Sequence, residues 1–233
     1  MVCEKSIVNG MYVILNADDF GKSLEQNEAI DEAYKRGFVR SIGLIVTEES
    51  SQDAIDKARN GGYVKDLHLH FNLKSVKHLK SIYRDLVAQY NCFIEVTNGE
   101  ADYNHVDFHV WSNLSWPVCL ALNVFSLRFH VKTVRYWAIS SKKKPKNKLF
   151  RFLSWNPFVK SIPACSFFYF LTQRLTLSKS RTIEIFCHPI FKNGELIDGT
   201  SSYIKYEKKS LSKLMQDMKK YKDVEFVSWE DIQ

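Results

Sequence analysis

Histidine and aspartate side chains recur at two-residue spacing within short apolar stretches of the chain. His68 and His70 form one such pair, and His105, Asp107 and His109 alternate in another stretch. Residues two apart on a strand project from the same face. A set of one carboxylate and two imidazoles can bind a divalent metal and leave positions open for water and substrate. The spacing therefore predicts a metal site.

Three further polar residues lie directly after predicted strands. Asp18 and Asp19 follow the apolar run Met11–Leu15, and His188 follows the run Thr182–Cys187. In parallel α/β folds the carboxyl ends of the strands build the active site, so these side chains can converge with the histidines. The alternative is a set of ordinary hydrogen-bonded core residues, since an unpaired charge in an apolar stretch would be costly.

Alternating strand and helix patterns predict the fold that would position these groups. A helix is expected from Ser23, which begins a capping box with Gln26, to about Arg36, with Gly37 as its stop. The predicted strands are Met11–Leu15, Ile42–Thr47, Asp66–Leu73, His105–Val110, Thr133–Trp137, Thr182–Cys187 and Val224–Trp229. About seven mostly parallel strands surrounded by helices indicate an α/β protein with a distorted (β/α) barrel. An open doubly wound sheet is the alternative.

Composition excludes several classes of protein. The chain has 233 residues, of which 45% are hydrophobic and 25% charged, and its net charge is +7. This composition excludes a disordered chain. Five cysteines without a Cys-x-x-Cys pair argue against a disulfide framework and favour a reducing cytoplasm. No glycine-rich phosphate motif follows the first strand, and no nucleic-acid-binding motif is present.

Four short motifs occur in an order that is typical of one family. They are Asn16–Gly21 (NADDFG), Leu69–Leu73 (LHFNL), His105–His109 (HVDFH) and Glu184–Pro189 (EIFCHP). Together they resemble the YdjC-like family of carbohydrate deacetylases, which includes chito-oligosaccharide deacetylases. The resemblance extends from about Met11 to Trp229. It implies a distorted (β/α) barrel and metal-dependent removal of an N-acetyl group from an amino sugar.

The resemblance also assigns roles to individual residues. It implies that Asp19, His70 and His109 hold one divalent metal ion, Mg²⁺ or Zn²⁺, that Asp18 is the catalytic base, and that His188 is the acid. A metal would polarise the amide carbonyl and acidify water, and the departing amine would need a proton.

Four more residues are candidates for supporting or substrate-binding roles. Asp107 could orient a ligand or the proton donor, or simply pair with His105 in the core. Arg135 could contact substrate or be a surface charge, and Trp111 could stack on a sugar or pack. Phe20, within the first motif, is the fourth candidate.

The sequence departs from the family pattern at several positions. Phe108 stands where a small residue is usual, His68 replaces a small residue, and residues 110–113 replace a histidine-rich stretch. The five core positions are kept, so we expect an enzyme that removes acetyl groups. A silent carbohydrate-binding relative and a metal-dependent phosphoesterase are the alternatives.

The sequence predicts a single deacetylase-like domain over residues 1–233, with a basic, aromatic-rich insertion at about 140–175. Six basic residues cluster near its start: Lys142, Lys143, Lys144, Lys146, Lys148 and Arg151. The segment could be a lid, core packing, or a contact with a membrane or a lipid-linked sugar, since basic and aromatic residues suit anionic bilayers. The expected partner is an N-acetylated sugar rather than nucleic acid. A homodimer is a further alternative, which the sequence does not decide.

Overall fold

Seven parallel strands close into a barrel in the computed structural model, which describes residues 10–74, 78–109, 115–136, 159–167, 169–171, 182–200 and 210–232. The strands of the ring are β1 (Met11–Phe20), β2 (Ser41–Leu44), β3 (Leu67–Phe71), β4 (Asp102–Phe108), β5 (Thr133–Tyr136), β6 (Lys160–Ser166) and β7 (Thr182–Cys187). Each strand pairs with the next, and β1 also pairs with β7. This closure confirms the predicted (β/α) barrel and excludes the open sheet.

Helices cover the outside of the barrel and short elements complete its ends. The described helices are α1 (Leu24–Lys35), α2 (Ser51–Gly61), α3 (Leu79–Val96), α4 (Trp116–Phe129) and α5 (Leu211–Met218). Three more strands are β8 (Pro189–Lys192) and β9 (Glu195–Asp198), which form an antiparallel pair, and β10 (Val224–Phe226). Two 3₁₀ turns span Val64–Asp66 and Glu230–Ile232. Among the described residues, no helix is long and apolar enough to cross a membrane.

Helix α1 begins and ends at the predicted residues. Ser23 Oγ accepts a hydrogen bond from the backbone N–H of Gln26 at 3.2 Å, and Gly37 has a left-handed φ of +70°. The Gln26 side chain, however, donates to the carbonyl oxygen of Pro189 at 2.6 Å. This bond joins α1 to β8.

Strand β1 is twice as long as the apolar run predicts. It starts beside β10 and continues beside β2, while β7 pairs with its other edge. The sequence analysis places Asp18 and Asp19 after the strand, but the strand runs on to Phe20. The register with β2 shifts between Ala17 and Phe20, and Asp19 has a φ of +74°. The two aspartates therefore lie on a bulge rather than in a loop.

The barrel strands have one apolar and one polar face. Val13, Leu15 and Ala17 of β1 pack outward into the main core beneath the helices. The alternate residues face the barrel interior. At its amino-terminal end the interior is closed by a separate apolar cluster of Ile14, Ile162, Val227 and Trp229. Above this floor the interior is polar, and nearly all of the residues that could do chemistry lie there.

Strand β6 lies within the segment that the sequence leaves unassigned. It pairs in parallel with β5 and β7 and is therefore a strand of the ring. The predicted strand Val224–Trp229 is not part of the ring, because its strand residues form β10, which pairs with β1 alone. Pro163 interrupts the pattern of this strand in the sequence, because proline cannot donate a ladder hydrogen bond. Most of the predicted insertion, including the six clustered basic residues, lies outside the described residues.

Candidate active site

Asp19, His70 and His109 meet at the carboxyl end of the barrel. One potential ligand atom from each lies within 4.8 Å of the others. His109 Nδ1 is 2.6 Å from Asp19 Oδ1, and His70 Nε2 is 3.4 Å from the same oxygen. His70 Nε2 is buried and forms no hydrogen bond with any residue that the structure describes. The three side chains thus converge on one point and leave one nitrogen unused.

The bulge that carries Asp19 is held by a tight turn after it. Gly21 has a φ of +92°, and a Cβ there would lie 2.4 Å from the carbonyl oxygen of Ile45, so only glycine fits. The Gly21 N–H donates to Asn27 Oδ1 at 2.6 Å. The Asn27 amide in turn donates to the carbonyl of Ser50 and to Asp53. A buried asparagine on α1 therefore fixes the turn against α2.

Asp107 orients the imidazole of His70 from inside the barrel. Its Oδ1 contacts His70 Nδ1, and its Oδ2 lies 3.2 Å from His68 Nε2. Gly43 of β2 gives the ring its space, since a Cβ there would lie 3.1 Å from His70 Cβ. A carboxylate on Nδ1 leaves Nε2 to face Asp19, which is the usual arrangement behind a metal-binding histidine. Asp107 therefore serves His70 and not His105, the other partner considered from the sequence.

Arg135 holds Asp18 through two parallel hydrogen bonds. Arg135 Nη1 donates to Asp18 Oδ2, and Nη2 donates to Asp18 Oδ1, both at 2.6 Å. Asn16 Nδ2 also donates to Asp18 Oδ1 at 2.6 Å. Such a two-pronged pair fixes both the plane and the position of a carboxylate. The prediction of Arg135 as a surface charge is wrong, because the residue is only 3% exposed.

The same guanidinium also serves two deeper carboxylates. Arg135 Nε donates to Glu184 Oε1 at 2.9 Å, and Nη2 contacts Asp107 Oδ2. Burial opposes the charged form, but Asp107, Asp18 and Glu184 hold the pKa of Arg135 well above its usual value. Burial also raises the pKa of Glu184, although Arg135 opposes that effect. One buried cation thus links the base candidate, the His70 partner and β7.

His188 faces Asp18 and Asp19 from the start of the β8–β9 hairpin. Its Nε2 lies 3.9 Å from Asp18 Oδ2 and 3.8 Å from Asp19 Oδ2. The other ring nitrogen, Nδ1, is 2.8 Å from Thr200 Oγ1, and the backbone N–H donates to Asp198 Oδ1. The hairpin therefore holds the ring with Nε2 directed at the two aspartates.

Positive groups surround the Asp19 carboxylate. Burial tends to raise the pKa of Asp19, but His109, His70 and His188 hold it far below its usual value. Lys22 Nζ adds a contact of 2.9 Å to Asp19 Oδ2. Burial opposes the charged form of His70, yet Asp107 and Asp18 raise its pKa to about 10. Asp19 therefore stays ionised, and a metal cation could take over the charge compensation that these neighbours now provide.

The remaining predicted site residues lie elsewhere. Phe20 is fully buried in the main core under the helices, which is a packing role and leaves it no surface to offer a substrate. Trp111 lies outside the described residues. Sequence reasoning missed Glu184, Ser41 and Trp229 as parts of the interior polar network. The signal for Glu184 was present, since residues 184, 186 and 188 alternate on one face.

The donor set of Asp19, His70 and His109 fits a divalent metal. One carboxylate and two imidazoles match Zn²⁺ and related ions, and the buried His70 Nε2 forms no hydrogen bond with any of the described residues. Asp107 supplies the outer support that metal-bound histidines have. These three residues could therefore hold a metal ion.

Comparison with known proteins identifies relatives of the chain. The model of the YdjC-like protein family matches residues 12–106, which include Asp18, Asp19 and His70. Carbohydrate deacetylase 2 from Listeria innocua is 27% identical over 135 residues, which are 46% of this chain and 53% of that protein. The matched region thus spans about half the length of this curated relative. The resemblance to the YdjC-like family is confirmed.

Solved structures share the fold over almost the whole chain. A crystal structure from Enterococcus faecalis V583, of a protein named for cellobiose-phosphate cleavage, has a TM-score of 0.71 at 17% identity. The alignment covers 96% of this chain and 99% of that one. The Xyl-CE4 domain of a multidomain xylanase, from the hindgut metagenome of Trinervitermes trinervoides, has a TM-score of 0.53 at 10% identity, with 96% and 89% coverage. Both likenesses concern the fold.

Proposed function

The chain is YdjC-like over residues 12–106, and from that premise we propose that it is a carbohydrate deacetylase. The reaction is metal-dependent hydrolysis of the N-acetyl group of an amino sugar or oligosaccharide. The relative named carbohydrate deacetylase supports the reaction class. The proposal assigns one divalent metal to Asp19, His70 and His109, the base to Asp18 and the acid to His188.

One observation carries the proposal: a carboxylate and an imidazole flank the three potential ligands. Asp18 Oδ2 and His188 Nε2 lie 3.9 Å apart, and His188 Nε2 is 3.8 Å from Asp19. Binding a sugar does not require a proton acceptor and a proton donor beside a metal site, whereas hydrolysis of an amide requires both. This pairing favours an enzyme over a silent binding relative.

A divalent metal held by Asp19, His70 and His109 would polarise the acetamide carbonyl and lower the pKa of a water molecule. Asp18 would accept a proton from the water molecule that attacks the carbonyl carbon. Among the described residues, only Arg135 donates to Asp18 Oδ2, so this oxygen retains a lone pair for that proton. Arg135 and Asn16 keep the carboxylate in place during the transfer.

His188 completes the reaction by protonating the departing nitrogen. Thr200 engages Nδ1, which leaves Nε2 as the position that faces the site. Transfer of the Nε2 proton to the amine nitrogen accompanies cleavage of the C–N bond and releases acetate and a free amino sugar. The overall balance is one water consumed, with its proton taken up by Asp18 and one proton given up by His188.

The test is acetate release from N-acetylated sugars with Zn²⁺, Mn²⁺ or Mg²⁺ added. Asp18→Asn should lower the rate by about 10²–10⁴-fold, because it removes the base. Asp31→Asn is a matched control: Asp31 is also buried and paired with a basic side chain, in its case Lys35, but it lies on α1. Its rate should equal that of the wild type.

The competing functions give different results in the same assay. A silent binding relative would bind sugar and metal but release no acetate with any metal. A phosphoesterase would release phosphate from sugar phosphates instead, and Asp18→Asn would abolish that release. Near-normal deacetylation by folded Asp18→Asn protein would overturn the assignment of the base.

A further inference from the structure

A chain of buried polar contacts runs from the floor of the barrel to the back of His70. Trp229 Nε1 donates to Ser41 Oγ at 2.8 Å, and Ser41 Oγ lies 3.1 Å from His68 Nδ1. His68 Nε2 lies 3.2 Å from Asp107 Oδ2, and Asp107 Oδ1 contacts His70 Nδ1. All five residues are at most 3% exposed. Bulk solvent therefore does not reach this path.

The chemistry of the two ends sets the direction of every hydrogen bond between them. An indole N–H can only donate, so Ser41 Oγ accepts from Trp229. The Ser41 hydroxyl then has its own proton to give, and among the described residues the remaining side-chain partner is His68 Nδ1. If Nδ1 accepts this proton, a neutral His68 must carry its hydrogen on Nε2.

The other end of the chain requires the same arrangement. The Arg135 guanidinium contacts Asp107 Oδ2, so this carboxylate is paired with a cation and acts as an acceptor toward its other neighbours. An Nε2 without a hydrogen would place a lone pair against the Asp107 carboxylate. The hydrogen on Nε2 satisfies Asp107, and the bare Nδ1 satisfies Ser41. Each side-chain polar atom on the path from Trp229 Nε1 to His70 Nδ1 then has a partner.

We infer that His68, Ser41 and Trp229 are positioning residues that fix the tautomer of the metal-binding imidazole of His70. With His68 donating to Asp107 Oδ2, the carboxylate is held so that Oδ1 accepts the Nδ1 hydrogen of His70. His70 Nε2, which lies 3.4 Å from Asp19 Oδ1, is then the nitrogen left free to bind a metal ion. This role rests on the proposed function only through the assignment of His70 as a ligand.

His68 is the central residue of this path of hydrogen bonds. It links the Trp229–Ser41 pair to Asp107, because one ring nitrogen contacts Ser41 and the other contacts Asp107. Its ring also meets the edge of His105 at 4.7 Å, while His105 stacks on Trp229 at 3.6 Å. His68 thus packs against His105, and His105 against Trp229, within the barrel interior.

The first test is the tautomer of His68, read by long-range ¹H–¹⁵N NMR of the ¹⁵N-histidine-labelled full chain with and without Zn²⁺. The wild type should show His68 with hydrogen on Nε2 only. A His68 with hydrogen on Nδ1 alone, or on both nitrogens at neutral pH, would overturn the inference. In Ser41→Ala the Nδ1 signal should change, because its donor is lost.

The second test is Zn²⁺ affinity by calorimetry. Ser41→Ala removes one hydroxyl with little change of volume, and Trp229→Phe removes the indole N–H but also leaves a smaller ring in the floor cluster. Each should weaken Zn²⁺ binding by about tenfold, the lower end of the range for outer-shell changes. Ser126→Ala is the matched control, since this buried hydroxyl has no hydrogen-bond partner among the described residues. It should leave the affinity unchanged.

The outcomes separate this inference from the proposed function. Unchanged Zn²⁺ affinity in both Ser41→Ala and Trp229→Phe, with folding intact by circular dichroism, would overturn the positioning role even if acetate is released. A wild type that binds Zn²⁺ with the expected His68 tautomer but releases no acetate would retain the positioning role and remove the deacetylase.

Discussion

Two clusters in the barrel have the same composition but different surroundings. Each has one aspartate and two histidines whose ligand atoms lie within 4.8 Å of one another. We call them the mouth cluster (Asp19, His70 and His109) and the deep cluster (His68, His105 and Asp107). Each also contains a histidine nitrogen, Nε2 of His70 or of His105, that lacks a hydrogen bond among the described residues.

The difference between the clusters is the charge that already compensates them. In the deep cluster the Arg135 guanidinium contacts the Asp107 carboxylate, and all three residues are fully buried. A divalent ion there would face a fixed cation in a medium of low polarity. In the mouth cluster the compensating cation is Lys22, which is 46% exposed and can move away, and His109 is 21% exposed. Ligand geometry alone therefore does not identify a metal site.

The largest expected difference between the clusters is in metal content. His70→Ala and His109→Ala should each lose nearly all bound Zn²⁺, because each removes a ligand from the mouth cluster. His105→Phe should keep one equivalent, because the deep cluster holds none. Metal analysis after gel filtration measures this. A wild type with two equivalents that falls to one in His105→Phe would show that both clusters bind metal.

Removal of the buried cation tests why the deep cluster is closed to metal. Arg135→Met should lower the free energy of unfolding by about 3–5 kcal/mol, since it leaves three buried carboxylates without their cation. Guanidinium unfolding measures this loss. Arg128→Met, an exposed arginine on α4, should change stability by less than about 0.5 kcal/mol. A loss below 1 kcal/mol in Arg135→Met would mean that the carboxylates are compensated elsewhere.

The deep cluster should also make the metal-free protein sensitive to mild acid. Burial disfavours the charged imidazole and holds the pKa of His105 well below its usual value. Below about pH 6.5 His105 becomes protonated in the unfolded chain but stays neutral in the folded protein. The free energy of unfolding therefore falls as the pH is lowered, by up to about 1.4 kcal/mol per pH unit.

His105→Phe isolates this contribution. The variant should show a shallower loss of stability between pH 6.5 and 5, the window above most carboxylate titrations, when urea unfolding is measured with a chelator present. The exposed histidine variant His78→Phe should follow the wild-type curve. Parallel curves for the wild type and His105→Phe would mean that His105 is already charged in the folded protein.

The smallest effect is expected at the removable cation of the mouth cluster. Lys22→Met takes away a positive charge that competes for Asp19, so Zn²⁺ should bind up to about fivefold more tightly, since exposed charge pairs are worth roughly 0.2–1 kcal/mol. Calorimetry at low and high salt measures the gain. Lys35→Met, which removes a similar exposed lysine on α1, should leave the affinity unchanged. Weaker binding in Lys22→Met would instead make Lys22 a support of the site.

The sequence correctly predicts those parts of the site in which the spacing of residues alone determines the face from which a side chain projects. His68 and His70 share the interior face because they alternate on β3, and His188 follows its strand as expected. The barrel follows from repeated strand and helix patterns for the same reason. Both are local properties, and local patterns are what a single sequence reveals.

The parts that the sequence does not predict depend on contacts between distant strands. Arg135 resembles a surface charge in isolation, and its burial makes sense only beside Asp18 of β1, Asp107 of β4 and Glu184 of β7. Strand β6 is hidden by Pro163 and becomes a strand because β5 and β7 pair with it on both sides. Tertiary context overrides local preference in both cases.

The left-handed backbone at Asp19 bears on how substitutions there should be read. With a φ of +74°, the position suits glycine, asparagine and aspartate and penalises other residues by about 1–2 kcal/mol. A saturation screen would therefore find nearly every substitution at position 19 depleted, for reasons of backbone shape as well as of ligand chemistry. Asparagine keeps the shape and removes the charge, and glycine keeps the shape and removes the side chain. These two replacements alone report on what the carboxylate does.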